Sequence, residues 1–241
     1  MLNNNVLKHK IMQDKEIVPI DEFSDMWDVL TQEERMYLRE NTTIQHFKKN
    51  QVIYCEGEQP AYLICLITGK VKIYKEGIGG RNQIVMMVKP KESFAYRASL
   101  AEESYLTCAA AVEATSAYFV PLNVIHEMIC SNNKLAFTFI KIMAKELGRA
   151  HSRTVNLTQK HIRGRLAEAI INLIEHYGLE DDGKTINICL SREDLANISN
   201  MTTANAIRTL STFVSEQILI VNGRHITILD REKLQKISKI G

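Results

Sequence analysis

No stretch of about 18 consecutive apolar residues occurs in this 241-residue chain, which excludes a membrane-spanning helix of ordinary length. The opening residues, Met1 to Ile20, mix Lys and His with isolated apolar residues. They lack the apolar centre, about 7 to 15 residues long, of a secretory leader, so a cytoplasmic protein is expected. Cysteine is sparse and unpatterned: Cys55, Cys65, Cys108, Cys130 and Cys189 are odd in number, widely spaced and without a C-x-x-C pair. That argues against a disulfide framework, a zinc finger or an iron–sulfur cluster. The expectation is five small hydrophobes kept reduced. A bulk charge of one sign is also missing. The net charge is +2, and residues 161–241 balance ten Lys and Arg against ten Asp and Glu, so any electrostatic footprint for nucleic acid must be local. With no G-x-S-x-G, no metal-spaced His/Glu cluster and no phosphate-binding glycine loop, an enzyme is not expected.

The chain does have an ordinary globular composition, 45% hydrophobic and 24% charged, enough for one or two domains with a sizeable core. Its most specific stretch is Leu190 to Leu210, which reads as two short helices and a tight turn. Ser191 is a good N-cap and Asp194 completes a variant capping box. The turn falls at Ser199-Asn200-Met201, and Thr202 or Thr203 starts a second helix that buries Ala206, Leu210 and Phe213 or Val214. Its other face offers Thr203, Asn205 and Arg208, which are chemically matched to base edges and phosphates in a major groove. Downstream, Ile218 to Val221 and Ile226 to Leu229 flank Asn222-Gly223, a dipeptide favouring a type I′ hairpin. A helix-turn-helix with a wing is predicted, with DNA-binding candidates Ser191, Arg192, Thr202, Thr203, Asn205 and Arg208.

Upstream, a short helix is expected around Asp25 to Glu40, and from Ile44 to about Ile125 the chain becomes β-rich. Short runs at Gln51–Cys55, Tyr62–Ile67, Val71–Tyr74, Gln83–Val88, Cys108–Val112 and Ser116–Val120 are punctuated by glycines, as in a sandwich or barrel. Gly69 sits where a positive φ is needed, with a tight hairpin expected to follow. From Asn133 to Leu157 the pattern switches to helix. Ala136, Ile140, Met143, Leu147, Ala150, Thr154 and Leu157 alternate spacings of four and three, a heptad seam on a helix about 37 Å long. A second stripe, Leu135, Phe139 and Ile142, is placed to pack on the β domain. Two stripes imply two neighbours, most simply the β domain and a twin helix in a symmetric dimer. The dimer contacts are then Ile140, Met143, Leu147, Ala150, Thr154 and Leu157. Lys160 to Gly164 is the expected hinge into a further amphipathic helix carrying Leu166, Ala169, Ile170, Leu173 and Ile174.

This order of elements resembles the Crp/Fnr superfamily of bacterial transcription regulators over about residues 30 to 235. The carriers are Cys55-Glu56-Gly57-Glu58, Ile67-Thr68-Gly69-Lys70-Val71-Lys72-Ile73-Tyr74, the seam helix, Gly164-Arg165-Leu166-Ala167, and the helix-turn-helix with Arg208. The resemblance implies an α+β fold: an N-terminal double-stranded β-helix (a jelly-roll-type, cyclic-nucleotide-binding-like β-roll), a long dimerisation helix and a C-terminal winged helix-turn-helix. The corresponding segments are a lead over 1–24, an effector domain over 25–130, the dimer helix over 131–160 and a DNA-binding domain over 161–241. It further implies a homodimer on a roughly palindromic double-stranded operator, with Arg208 at the recognition-helix arginine and RNA polymerase as a further partner. Where many relatives carry a glutamate, this helix has Ala204 and Asn205, so its operator need not be theirs.

Departures from the family pattern bear on the effector. Cyclic-AMP-responsive members carry a Gly-Glu-Leu or Gly-Glu-Ala turn for the ribose and an Arg-Ser or Arg-Thr pair for the phosphate. Here the stretches are Phe94-Ala95-Tyr96-Arg97-Ala98-Ser99-Leu100 and Thr107-Cys108-Ala109-Ala110. Arg97 replaces the ribose carboxylate and the phosphate arginine is missing, which should cost a buried phosphate its counter-charge. Ala150 and His151 also replace hydroxyl residues of the seam helix. Cyclic AMP is therefore disfavoured. So is an iron–sulfur cluster, because Met1 to Ile20 has no cysteine, and so is haem, for which His46, His126 or His151 could be proposed as an axial ligand, although a lone His is more often a surface or satisfied core residue. No cofactor is predicted. The effector region is Tyr96, Arg97, Ala98, Ser99, Cys108 and Ala109, in which Arg97 with Ser99 and Tyr96 makes either an anion pocket or a surface salt bridge. The competing reading is a ligand-binding or scaffold protein whose winged helix mediates protein contacts.

Overall fold

The computed structural model describes residues 25–77 and 79–240. The chain divides into two compact units, one of Met1–Val71 with Val88–Ile140 and one of Lys72–Met87 with Lys141–Gly241.

The β-rich segment opens on a 3-10 turn, Asp25–Trp27, and helix α1, Gln32–Asn41. The sequence suggested one helix over Asp25 to Glu40. The chain breaks it because Thr31 caps α1 with a reciprocal capping box: Glu34 N–H donates to Thr31 Oγ1 at 3.2 Å, and Thr31 N–H donates to Glu34 Oε2 at 2.8 Å. Eight strands follow: β1 Thr43–Phe47, β2 Val52–Tyr54, β3 Tyr62–Thr68, β4 Val71–Glu76, β5 Asn82–Val88, β6 Ser93–Phe94, β7 Cys108–Ala111 and β8 Thr115–Pro121. One turn of helix, α2 Arg97–Leu100, lies between β6 and β7. Two four-stranded sheets result, in the orders β1-β8-β3-β6 and β2-β7-β4-β5. Antiparallel β3 and β8 register Ile64 opposite Phe119 and Leu66 opposite Ala117. Leu63, Leu66, Val71, Ala109, Ala111, Ala117 and Val120 are fully buried.

Gly69 has φ +85°, as its position in the sequence required, but β3 and β4 do not pair as a hairpin around it. β3 and β4 belong to different sheets, so Gly69 turns a corner between layers. A Cβ there would lie 2.4 Å from Thr115 Oγ1 and 2.6 Å from the Ala114 carbonyl oxygen. Long-range pairing, invisible to a local turn signal, decides this. Strands β1 and β6 were likewise absent from the sequence reading; each is short, and neither shows clean alternation.

Helix α3, Leu122–Ser131, leads into α4, Asn133–Gln159. Leu135 and Phe139 of the second stripe are buried. Helix α5, Ile162–Tyr177, begins almost at once, with His161 at its N-cap position, so the expected hinge shrinks to Lys160-His161. The winged portion comprises α6 Arg192–Ile198, α7 Thr203–Ser215, β9 Leu219–Asn222, β10 His225–Ile228 and α8 Arg231–Ile240. Leu166, Ile170, Leu195, Ala196, Ala206, Leu210, Phe213, Ile218 and Leu234 form its buried core.

Candidate nucleic-acid interface

Helix α6 starts where Ser191 Oγ accepts the Asp194 N–H at 2.9 Å, and the same hydroxyl donates to Asp194 Oδ2 at 2.6 Å. Helix α7 starts at Thr202, whose Oγ1 accepts the Asn205 N–H at 3.3 Å. Thr202, rather than Thr203, is therefore the cap. Between them Asn200 turns the chain at φ +50°, a conformation Asn tolerates better than most residues. Met201, the last residue of the turn read from sequence, is buried with Leu195 and Ala196. Of the two candidates for the inner face of α7, Phe213 is buried and Val214 exposed.

This anchoring leaves Thr202, Thr203, Ala204, Ile207, Arg208 and Ser211 exposed along the outer face of α7, with Asn205 half-buried beside them. Arg208 Nη2 donates to Asn205 Oδ1 at 3.2 Å, holding the guanidinium along the helix. The first turn of α7 carries no acidic side chain, so its N-terminal backbone donors meet no competing carboxylate and favour an incoming anion. Hydroxyl, amide and guanidinium groups on one rigid face can contact phosphates and read bases.

The six sequence-predicted residues divide into two groups. Thr202, Thr203, Asn205 and Arg208 share the N-terminal half of α7. Ser191 and Arg192 sit at the start of α6, where Ser191 caps and Arg192 Nη2 donates to the Gly223 carbonyl oxygen at 2.6 Å. The wing turn differs from expectation. Asn222 is in register with His225, so the two turn residues are Gly223 and Arg224, and of these only Gly223 has a positive φ, +57°. A type I′ turn needs positive φ at both central positions. Glycine at the first one matches type II′.

Two supporting arrangements were not read from sequence. Arg165 on α5 donates from Nε to the Ser199 carbonyl oxygen and from Nη2 to that of Asn200, each at 3.1 Å, and from Nη1 to the Lys160 carbonyl oxygen at 3.2 Å. It thus fixes the turn before α7. The signal was a single Arg next to the apolar run Leu166-Ala167. Arg163 binds both oxygens of Glu216, which ends α7, and Arg163 Nη1 to Oε1 measures 2.7 Å. The Arg163 hydrogen bond holds the Glu216 carboxyl below the usual carboxylate range, against a smaller opposing push from burial.

In the β-rich unit, the effector-region residues find separate partners. Arg97 Nη1 pairs with Glu103 Oε2 at 3.1 Å, both side chains about half exposed. Ser99 Oγ meets His126 Nε2 at 3.2 Å. The Tyr96 ring packs edge-on to Phe139 at 5.3 Å between centroids. Ala98, Cys108 and Ala109 are buried. Of the two readings offered for Arg97, the contact observed is the surface salt bridge. Nearby, Tyr54 stacks on Tyr105 at 3.9 Å, and burial pushes the Tyr54 hydroxyl up to about 12. Along α4, Ile140 and Leu147 are 60% and 57% exposed, Ala150 and Thr154 are exposed, and Met143 and Leu157 are half-buried. No described helix is long and apolar enough to cross a membrane. No described group of three or more His, Cys, Asp and Glu side chains could hold a metal ion. Residues 1–20, on which the cluster question rested, lie outside the described residues.

The comparisons with known proteins agree with this architecture. Residues 44–132 match the cyclic nucleotide-binding domain family, and residues 164–237 match the Crp-like helix-turn-helix domain family. Among curated proteins, the chain is 20% identical over 191 residues to a CRP-like cAMP-activated global transcriptional regulator of Mycobacterium tuberculosis, covering 79% of this chain and 85% of the relative. It is 22% identical over 194 residues to the fumarate and nitrate reduction regulatory protein of Vibrio cholerae, covering 80% and 77%. Among solved structures, FixK2 of Bradyrhizobium japonicum shares the fold with a TM-score of 0.74 at 24% identity, covering 81% of this chain and 96% of that one. A β-roll matching the nucleotide-binding family, followed by a winged helix with a capped, cationic recognition face, places this chain in the Crp/Fnr superfamily of transcription regulators.

Proposed function

We propose that the protein works in the cytoplasm as a homodimer that binds a roughly palindromic double-stranded DNA site sequence-specifically. The observation that carries this reading is the outer face of α7, where Thr203, Asn205 and Arg208 project from a helix capped by Thr202 and anchored through Arg165. The exposed seam of α4 supports the dimer, because Ile140 and Leu147 leave apolar surface that a twin helix would cover. Each such side chain, once buried, contributes on the order of 1.5–3 kcal/mol. Two recognition helices related by a two-fold axis would read half-sites about 34 to 36 Å apart.

The β-roll is proposed not to take cyclic AMP. Arg97 is neutralised by Glu103, and the interior strand Cys108–Ala111 is wholly buried and uncharged. A phosphate placed against it would meet no guanidinium from that strand. The decisive experiment is salt-titrated fluorescence anisotropy on fragments of the protein's own promoter region, comparing wild type with Arg208→Ala, with and without cyclic AMP. Tight binding with a salt slope of several phosphates, lost in Arg208→Ala and indifferent to cyclic AMP, is expected. A large cyclic-AMP response refutes the effector reading, whereas weak binding insensitive to the mutation favours a scaffold whose winged helix contacts protein.

A further inference from the structure

From the Cys189, His225 and Glu180 cluster beside the wing, we infer that Cys189 is a thiol modification site oxidised by hydroperoxides, and that its oxidation loosens DNA binding. The inference rests on the DNA-binding reading above for its consequence, though not for its chemistry. The residues just before Cys189 run alongside β10: Ile186 N–H donates to the Ile226 carbonyl oxygen at 3.0 Å, and Thr185 bridges Thr227. This brings the Cys189 sulfur 3.5 Å from Nε2 and 3.6 Å from Nδ1 of His225. Nδ1 of His225 in turn lies 3.6 Å from Glu180 Oε1. The imidazole is therefore within reach of both a thiol and a carboxylate, an arrangement in which it can take the sulfur's proton while the carboxylate stabilises the resulting cation. Cys189 is half-buried and the His225 side chain is 54% exposed, so a small oxidant can reach the sulfur. By contrast Cys65 is sealed in the core, where burial pushes its thiol up to about 12.

The chemistry balances with a hydroperoxide as the named oxidant. The Cys189 thiol gives its proton to His225. The thiolate attacks the terminal oxygen of the peroxide, so that an S–O bond forms as the O–O bond breaks. The departing alkoxide or hydroxide takes the proton back from the imidazolium and leaves as alcohol or water. Sulfur is oxidised by two electrons to sulfenic acid and the peroxide is reduced by two.

The position links this chemistry to the interface. His225 is the first residue of β10, directly after the turn residues Gly223 and Arg224. Arg192, three residues beyond Cys189, holds the Gly223 carbonyl. An oxygen or a larger adduct on the sulfur must displace the His225 ring and pull at the junction between the wing and α6.

The test treats the full-length protein with hydrogen peroxide, traps sulfenic acid with a 1,3-dione, and locates the adduct by peptide mass spectrometry, with anisotropy on promoter DNA before and after. Cys55 and Cys130, both exposed, are internal controls. Expected are trapping at Cys189 at least about tenfold faster than at either control and slowed in His225→Gln, together with an affinity loss of about tenfold. That loss should be reversed by a reductant and absent in Cys189→Ser. The inference is overturned if Cys189 reacts no faster than Cys55 and Cys130, if His225→Gln leaves its rate unchanged, or if Cys189→Ser loses affinity on oxidation as wild type does. Failure of the DNA reading is separate: the reduced wild type would then not bind promoter DNA, while the trapping rates still judge the thiol site.

Discussion

Nη2 of Arg192 donates to the carbonyl oxygen of Gly223 at 2.6 Å, tying the first turn of α6 to the tip of the wing. The β9–β10 ribbon has only four residues per strand, and a two-stranded hairpin is marginally stable alone in water. Its guanidinium tie is a charge-assisted hydrogen bond spanning 31 residues of sequence. The other nitrogen, Nη1, is buried without a hydrogen-bond partner, so the side chain gives up hydration to hold this position.

Arg192→Ala should therefore loosen the wing while leaving the helices intact. Losing the bond is expected to cost on the order of 1 kcal/mol locally, raising amide exchange in β9 and β10 about fivefold with no change around Leu166 or Leu195. Unchanged exchange would mean that the ladder alone holds the wing.

Arg208 is the exposed cation of the recognition face. Arg208→Lys keeps the charge but loses the planar fork, so it should retain most non-specific, salt-dependent affinity and lose about 1–3 kcal/mol of discrimination between operator and scrambled DNA. Competition anisotropy at fixed salt measures this. A uniform loss on both DNAs would place Arg208 on phosphate instead.

Leu147 is 57% exposed at the middle of the α4 seam. In the proposed dimer, Leu147→Glu puts like charges against each other across the two-fold axis and should yield a monomer in sedimentation velocity, with unchanged helical circular dichroism. A dimer that survives this change would show that another surface joins the subunits.

Gly69→Ala tests the corner between the sheets. At φ +85° the added methyl meets the Ala114 carbonyl oxygen at 2.6 Å, and backbone cannot step aside as a side-chain tip can. A loss of about 1–3 kcal/mol or more is expected in urea unfolding.

The Arg163–Glu216 pair predicts a pH dependence. Arg163 lowers the folded-state value of Glu216, so the pair's contribution is present above the unfolded-state value and is lost as pH falls through the depressed one. The stability gap between wild type and Glu216→Gln should therefore be widest near neutrality and close below the usual carboxylate range. A gap that stays constant with pH would remove the charge from the explanation.

The sequence by itself determined what depends on neighbours within one or two turns. Ser191 and Thr202 each sit three residues before the amide they accept, so both helix starts were readable, and Leu195, Ala206 and Leu210 fell on the buried face by helical period. Helix α4 was readable in the same way, because spacings of four and three recur along it. Only the tertiary structure decided what depends on residues distant in sequence. It sent β3 and β4 to different sheets after Gly69 and tied Arg192 to the Gly223 carbonyl, 31 residues on. It also brought Cys189 to His225, 36 residues away. The physical reason is that caps and stripes are set by local hydrogen bonds and periodicity, whereas strand pairing and side-chain partners are chosen by which surfaces meet once the core has closed.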